Sequence, residues 1–177
     1  MPSQGAALEH KPEIDGLRAI AVGAVVVYHA VPGAMPGGFV GVDVFFVLSG
    51  YLITALLARE WAANGRIDFT AFYARRARRL LPALVAMLLV VMLLLAGPLG
   101  RHESLVDEAA TSSLHALAFV ANFHFQATTG GYFDAGAEAR PMLHLWSLAV
   151  EEQFYLVYPL LLVALLRLAP GAPARRL

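Results

Sequence analysis

Arg18 and His29 stand eleven residues apart in IDGLRAIAVGAVVVYHA, a stretch otherwise made mostly of Ala, Val, Ile and Gly. On a helix this spacing is three turns plus about 20°, so both side chains fall on one face, with a rise of roughly 16 Å between them. An arginine keeps its charge, and its planar fork matches phosphate oxygens. A histidine takes up and releases a proton near neutrality. The pair therefore fits an anion held at one level and a proton moved at another. Asp15, three residues before Arg18, is spaced to pair with it. The plainer reading is a snorkelling arginine and an interfacial histidine at the helix end.

HLWSLAVEEQFYLVYP carries a second group. His144, Glu151, Tyr155 and Tyr158 are spaced by 7, 4 and 3 and share one helical stripe, with Glu152 and Gln153 off it. Two adjacent carboxylates about 10 Å along a spanning helix are costly unless they face a cavity or a partner. Glu151 and Glu152 therefore read as functional. Glu151 is expected at the depth of His29, where a carboxylate would fix the imidazole tautomer and raise its basicity, as in an assisted general base.

GGFVGVDVFFVLSGYLIT places Asp43 after three glycines, where it is expected to cap a helix. Ser49 beside Gly50 suits close packing of helices; a role for Ser49 as nucleophile is a less favoured variant. FYARRARRLLP sets Arg75, Arg76, Arg78 and Arg79 within five residues. Such a run anchors a helix on anionic headgroups or, beside Arg18, holds a phosphate-bearing ligand.

These groups need membrane helices to position them. The 177 residues are 59% hydrophobic and 15% charged, with mean hydropathy +0.64, where a soluble domain is nearer a quarter charged. Four stretches approach the roughly 20 apolar residues that cross a bilayer: 14–32, 39–58, 80–99 and 143–167. Pro82 is expected in the first turn of the third, where its missing N–H costs little. A fifth stretch, 104–125, is interrupted by Asp107, Glu108 and His115 and reads as an interfacial or re-entrant helix. The fold expected is all-α: a polytopic membrane bundle of about four spanning helices plus that one. The arginines between the second and third spans put their loop on the cytoplasmic side. The tail 1–13 and the tail 169–177 then also face the cytoplasm, and 100–142 is external. Residues 1–13 lack the layout of a cleavable signal peptide. The end, APGAPARRL, reads as a chain cut short after residues 14–168.

Zero net charge gives no bias toward nucleic acid. The absence of cysteine excludes disulfides, thiolate metal sites and a cysteine nucleophile, and no metal site is expected.

Arg18 with His29, then VDVFFVLSGYLIT, FYARRARRLLP and HLWSLAVEEQFYLVYP, follow one another in that order. In this the chain resembles the N-terminal part of the membrane-bound acyltransferase-3 family of bacterial O-acyltransferases. The resemblance implies a multi-pass enzyme of the bacterial inner (cytoplasmic) membrane. It would take an acyl group, often acetyl, from acyl-CoA on the cytoplasmic side. It would deliver it to a hydroxyl of an exported glycan such as lipopolysaccharide O-antigen, peptidoglycan or another cell-surface polysaccharide. The resemblance makes Arg18, Arg75, Arg76 and Arg79 donor-binding residues and His29 and Glu151 catalytic, with Asp15, Asp43, Ser49, Glu152 and Tyr155 in support. It leaves open whether His29 is a base or an acyl carrier. The partners implied are the bilayer, the glycan acceptor and the remaining transmembrane helices of a longer protein, because members have many more spans than four. FHFQATTGGYFDAG is similar to members that add an SGNH-type domain. Two other readings compete: a transporter or proton-coupled channel with an intramembrane His/Glu site, and an anchoring module whose charges only fix topology.

Overall fold

The computed structural model describes residues 11–31, 33–97, 103–129 and 140–168. Among them every regular element is helical. Most of the expected N-terminal tail, all of 169–177 with Arg175 and Arg176, and residues 130–139 of the expected external stretch lie outside the described residues. The chain divides into two compact units, Met1–Ile67 with Leu165–Leu177, and Asp68–Ala164.

In the first unit, α1 (Pro12–Ala30) starts on a proline, whose missing N–H would be unpaired there in any case. Glu13 and Asp15 in its first turn and His29 in its last complement the helix dipole. A 3-10 turn, Gly38–Val40, leads into α2 (Gly41–Asn64). The two helices meet backbone to backbone. A Cβ on Gly38 would run into the Ala24 carbonyl and lie 2.8 Å from Tyr28 Cβ; one on Gly41 would run into the Ala21 carbonyl and lie 2.9 Å from Val25 Cγ2. Small residues permit this approach between membrane helices. Gly41→Ala is expected to cost about 1–3 kcal/mol through overpacking, read as a lower unfolding midpoint of the protein in detergent; an unchanged midpoint would rule out the contact. Asp43 does not cap α2. The N-cap is Val40, without a side-chain bond, because the 3-10 turn already supplies carbonyls: the Gly41 N–H donates to those of Gly38 and Phe39. Asp43 instead lies in the first turn of α2, a favourable place for an anion.

Helix α2 ends at Gly65, which takes φ +65° and donates its N–H to the Trp61 carbonyl at 2.8 Å. The second unit then opens with α3 (Phe69–Ala96), capped by Asp68, whose side chain accepts from the Ala71 N–H at 2.9 Å. This start is eleven residues ahead of the expected span. Alanine and arginine are good helix formers, so the arginine run forms the first turns of the helix rather than a loop. Pro82 consequently falls inside α3, not in its first turn. The remaining helices are α4 (Glu103–Leu117), α5 (Ala121–Thr129) and α6 (Leu145–Leu168). Leu84, Leu88 and Leu95 of α3 bury against Ala109 and Ala116 of α4, Phe125 of α5 and Ala149 of α6.

Three helical stretches are long and apolar enough to cross a membrane: Gly38–Asn64, Phe69–Ala96 and Leu145–Leu168. Helix α1, the fourth expected span, carries Glu13, Asp15 and Arg18 in its first two turns. The expected single helix at 104–125 is two, broken at Phe119, which takes φ +54°. At 1.5 Å per residue even the 15-residue α4 reaches only about 22 Å, short of a core about 30 Å thick.

Candidate active site

Helical phase decides where each arginine of α3 points. Arg75 and Arg79 are one turn apart and exposed, as is Arg78, while Arg76 is turned about 100° from Arg75 and is partly buried. Its guanidinium lies 3.4 Å from the centre of the Tyr155 ring, and its Nη2 donates to Glu152 Oε1 at 2.6 Å. The side chains of this ion pair are 27% and 15% exposed. The Tyr155 hydroxyl donates to Glu151 Oε1 at 2.7 Å. Tyr155 is therefore the hub of the group, with a cation on its ring and a carboxylate on its hydroxyl. Planar guanidinium over an aromatic face is favourable, more so where water is excluded. Arg76 Nε is buried without a hydrogen-bond partner among the described residues.

Pro159 adds a further contact. It cannot donate to the Tyr155 carbonyl four residues earlier, and such a freed group must be satisfied within a membrane. The Tyr73 hydroxyl fills the gap, donating to the Leu156 carbonyl at 3.1 Å and approaching that of Tyr155 at 3.5 Å. Beside these contacts opens a mainly apolar cleft of about 370 Å³. Tyr73, Arg76, Leu80 and Leu81 line one side, Glu152, Gln153 and Tyr155 another, and Ala118, Phe119 and Val120 a third.

The structure thus brings together Arg76, Glu151, Glu152 and Tyr155, and leaves Arg75 and Arg79 on an exposed face. His144 falls outside the expected stripe, because α6 begins at Leu145 and the His144 carbonyl accepts from the Ser147 hydroxyl at 3.0 Å.

The other candidates belong to the first unit. His29 is exposed, and its Nδ1 lies 2.9 Å from the Val25 carbonyl. A carbonyl can only accept, so Nδ1 carries the proton and Nε2 is left with a free lone pair. This is the tautomer a general base needs, and it is fixed by the residue's own helix. Arg18 lies with its Cζ 4.9 Å from the centre of the Phe45 ring, and its Nε is buried without a partner among the described residues. Asp15 and Asp43 are exposed, and Ser49 is buried within α2. Among the described residues no cluster of three or more His, Asp or Glu could hold a metal.

The turn between α4 and α5 is the part of the second unit richest in unexpected polar contacts. Gln153 Nε2 donates to the Phe119 carbonyl at 2.8 Å and to Asn122 Oδ1 at 2.9 Å, and Asn122 Nδ2 donates back to Gln153 Oε1 at 3.3 Å. Nearby, His115 and His124 stack at 4.2 Å, and Arg140 lies 3.7 Å from Glu108. Burial, and then the neighbouring His115, hold the His124 pKa below its ordinary value, with Arg140 adding to the effect and Glu108 opposing it. The folded protein therefore binds this proton less readily than the unfolded chain. Its stability is complete above the usual imidazole value of about 6.5 and is lost as the pH falls through it. The thermal midpoint is expected to drop between about pH 7 and about pH 5, and to drop less in His124→Phe; an equal drop in both would refute the assignment.

Sequence reading missed Tyr73, Asn122 and Gln153. For Tyr73 a signal existed: a proline four residues after Tyr155 frees a carbonyl that something must reach. For Asn122 and Gln153 there was none, since their pairing crosses 31 residues.

The family model described as an acyltransferase domain matches residues 11–175. The peptidoglycan O-acetyltransferase OatA of Listeria monocytogenes is 41% identical over 159 residues, which cover 90% of this chain and 25% of that protein. The O-acetyltransferase OatA of Staphylococcus aureus is 41% identical over 155 residues, 88% of this chain and 25% of that protein. The chain spans about a quarter of the length of these relatives. No solved structure matches it. With nearly its whole length matched and its ordered motifs set on membrane helices, the chain belongs to the acyltransferase-3 family.

Proposed function

We propose that this chain is part of an inner-membrane O-acyltransferase that moves an acetyl group from cytoplasmic acetyl-CoA to a hydroxyl of a cell-envelope glycan. Peptidoglycan is the first acceptor to test, because a relative bears that name. The single observation that carries the reading is the Arg76–Glu152 pair over Tyr155 at the side of an apolar cleft. Charges partly buried in membrane helices are costly and mark function, and the cleft is within the size range of small-molecule sites. Lipopolysaccharide O-antigen is the alternative acceptor within the same chemistry.

In this reading Arg75 and Arg79, exposed and one turn apart, bind the CoA phosphates as bidentate forks, with Arg18. The thioester end of the donor lies in the cleft beside Arg76. His29 Nε2 takes the proton of the acceptor hydroxyl as its oxygen attacks the thioester carbon. The C–O bond forms, the C–S bond breaks, and the imidazolium returns its proton to the CoA thiolate. Glu151, held by the Tyr155 hydroxyl, balances charge during transfer. The N-terminus is cytoplasmic, and further helices of a longer protein enclose the acceptor side.

Membranes carrying the complete reading frame, given acetyl-CoA labelled in the acetyl group, are expected to place label on glycan. Label must be absent when the CoA is labelled instead. Label that stays on acetyl-CoA or in free acetate would reject the reading.

A further inference from the structure

The cleft beside Arg76 has one wall of a different kind from the others. Two sides are helical faces of α3 and α6, whereas the third is the three-residue break between α4 and α5, Ala118 to Val120. A break of that kind does not hold its own shape. Phe119 sits at φ +54°, a conformation rare for a bulky residue and kept only where surrounding contacts impose it. Those contacts come from Gln153. Both hydrogens of its amide are committed, one to the Phe119 carbonyl and one to Asn122, and its oxygen accepts from Asn122 in return. The residue before it, Glu152, holds Arg76. One turn of α6 therefore fixes the polar side of the cleft and the position of its non-helical wall.

We infer that Gln153 is a positioning residue that sets the size of acyl group the cleft admits. This inference rests on the proposed function, in which the thioester end of an acyl-CoA occupies the cleft. The cleft's 370 Å³ equals roughly a dozen waters at about 30 Å³ each. That volume is filled by the end of the donor's arm with a short acyl group and leaves no room for a long chain while the wall is held. Without the amide clamp the break relaxes away from α3, and the cleft lengthens on its apolar side, toward Leu80 and Leu81.

The test uses membranes carrying the complete reading frame, with acetyl-CoA and hexanoyl-CoA each labelled in the acyl group, and reads the ratio of the two transfer rates. A ratio does not depend on how much protein inserts, so a merely structural role leaves it unmoved. Gln153→Ala is expected to shift the ratio toward hexanoyl at least tenfold, since a single methylene in an apolar pocket is worth about that much. The exchange Asn122→Gln with Gln153→Asn keeps an amide on each side and is expected to restore the preference for acetyl. Val120→Ala, which widens the wall without touching the clamp, is expected to shift the ratio the same way and serves if Gln153→Ala does not insert. An unchanged ratio in Gln153→Ala, or in Val120→Ala where that variant stands in, overturns the inference alone. A wild-type protein that transfers neither label overturns the function beneath it, and the inference with it.

Discussion

His29→Ala is expected to lower acyl transfer by roughly 10²- to 10⁴-fold, the range that a positioned general base contributes. Insertion and fold are expected to survive, because the side chain is exposed and its Nδ1 bonds only to its own helix, at Val25. The loss therefore reports chemistry. His29→Asn sharpens the experiment. An asparagine amide can still donate to the Val25 carbonyl but has no lone pair able to take a proton near neutrality. It should lose as much activity as alanine. Initial rates with labelled acetyl-CoA, normalised to inserted protein, are the measurement. A His29→Asn protein working at the wild-type rate would remove His29 from the proton transfer.

Arg76→Ala is expected to be the most destabilising single change in the second unit. It leaves Glu152 without its cation and strips the guanidinium from the Tyr155 ring. Breaking a buried pair from one side costs about 3–5 kcal/mol. With side chains 27% and 15% exposed, water recovers part of that, and about 3 kcal/mol is the expected figure. Glu152→Gln should cost less, since a neutral amide still offers an oxygen to Arg76. The double variant should cost less than the sum of the two, with a coupling of about 1–3 kcal/mol. Arg76→Lys keeps the charge but loses the flat fork that lies on Tyr155, so it should fall between wild type and alanine. Unfolding midpoints in detergent give all four values; additive costs would show that the pair is not coupled.

The helices themselves were legible, because long apolar runs in a chain only 15% charged have few alternatives. Their starts were less so. Pro82 invited a helix start, yet Asp68 supplies the cap and Pro82 sits mid-helix. The sequence around Phe119 has no glycine or proline to announce a break; it is imposed by Gln153 from another helix, and no local propensity reports that. Of the candidate residues, the glutamates of α6 were identifiable from the cost of burying them. Their partner was not, since four neighbouring arginines look alike until the phase of α3 is known, and only Arg76 turns toward α6. The tautomer of His29 depends on a carbonyl one turn back, which is readable from spacing once the helix is granted.

The ion pair also bears on biogenesis. A chain enters the membrane from its N-terminal end as it is made, so α3 is in place before α6 leaves the ribosome. Helix α6 is the least apolar of the three candidate spans, and Glu151 and Glu152 are the reason it would hesitate at the translocon. Arg76 is by then already lodged in the bilayer, and Tyr73 beside it offers a hydroxyl for the carbonyl that Pro159 exposes. The late and reluctant helix is thus met by an earlier one that carries its counter-charge and its missing donor. The order of the gene is also a workable order of assembly.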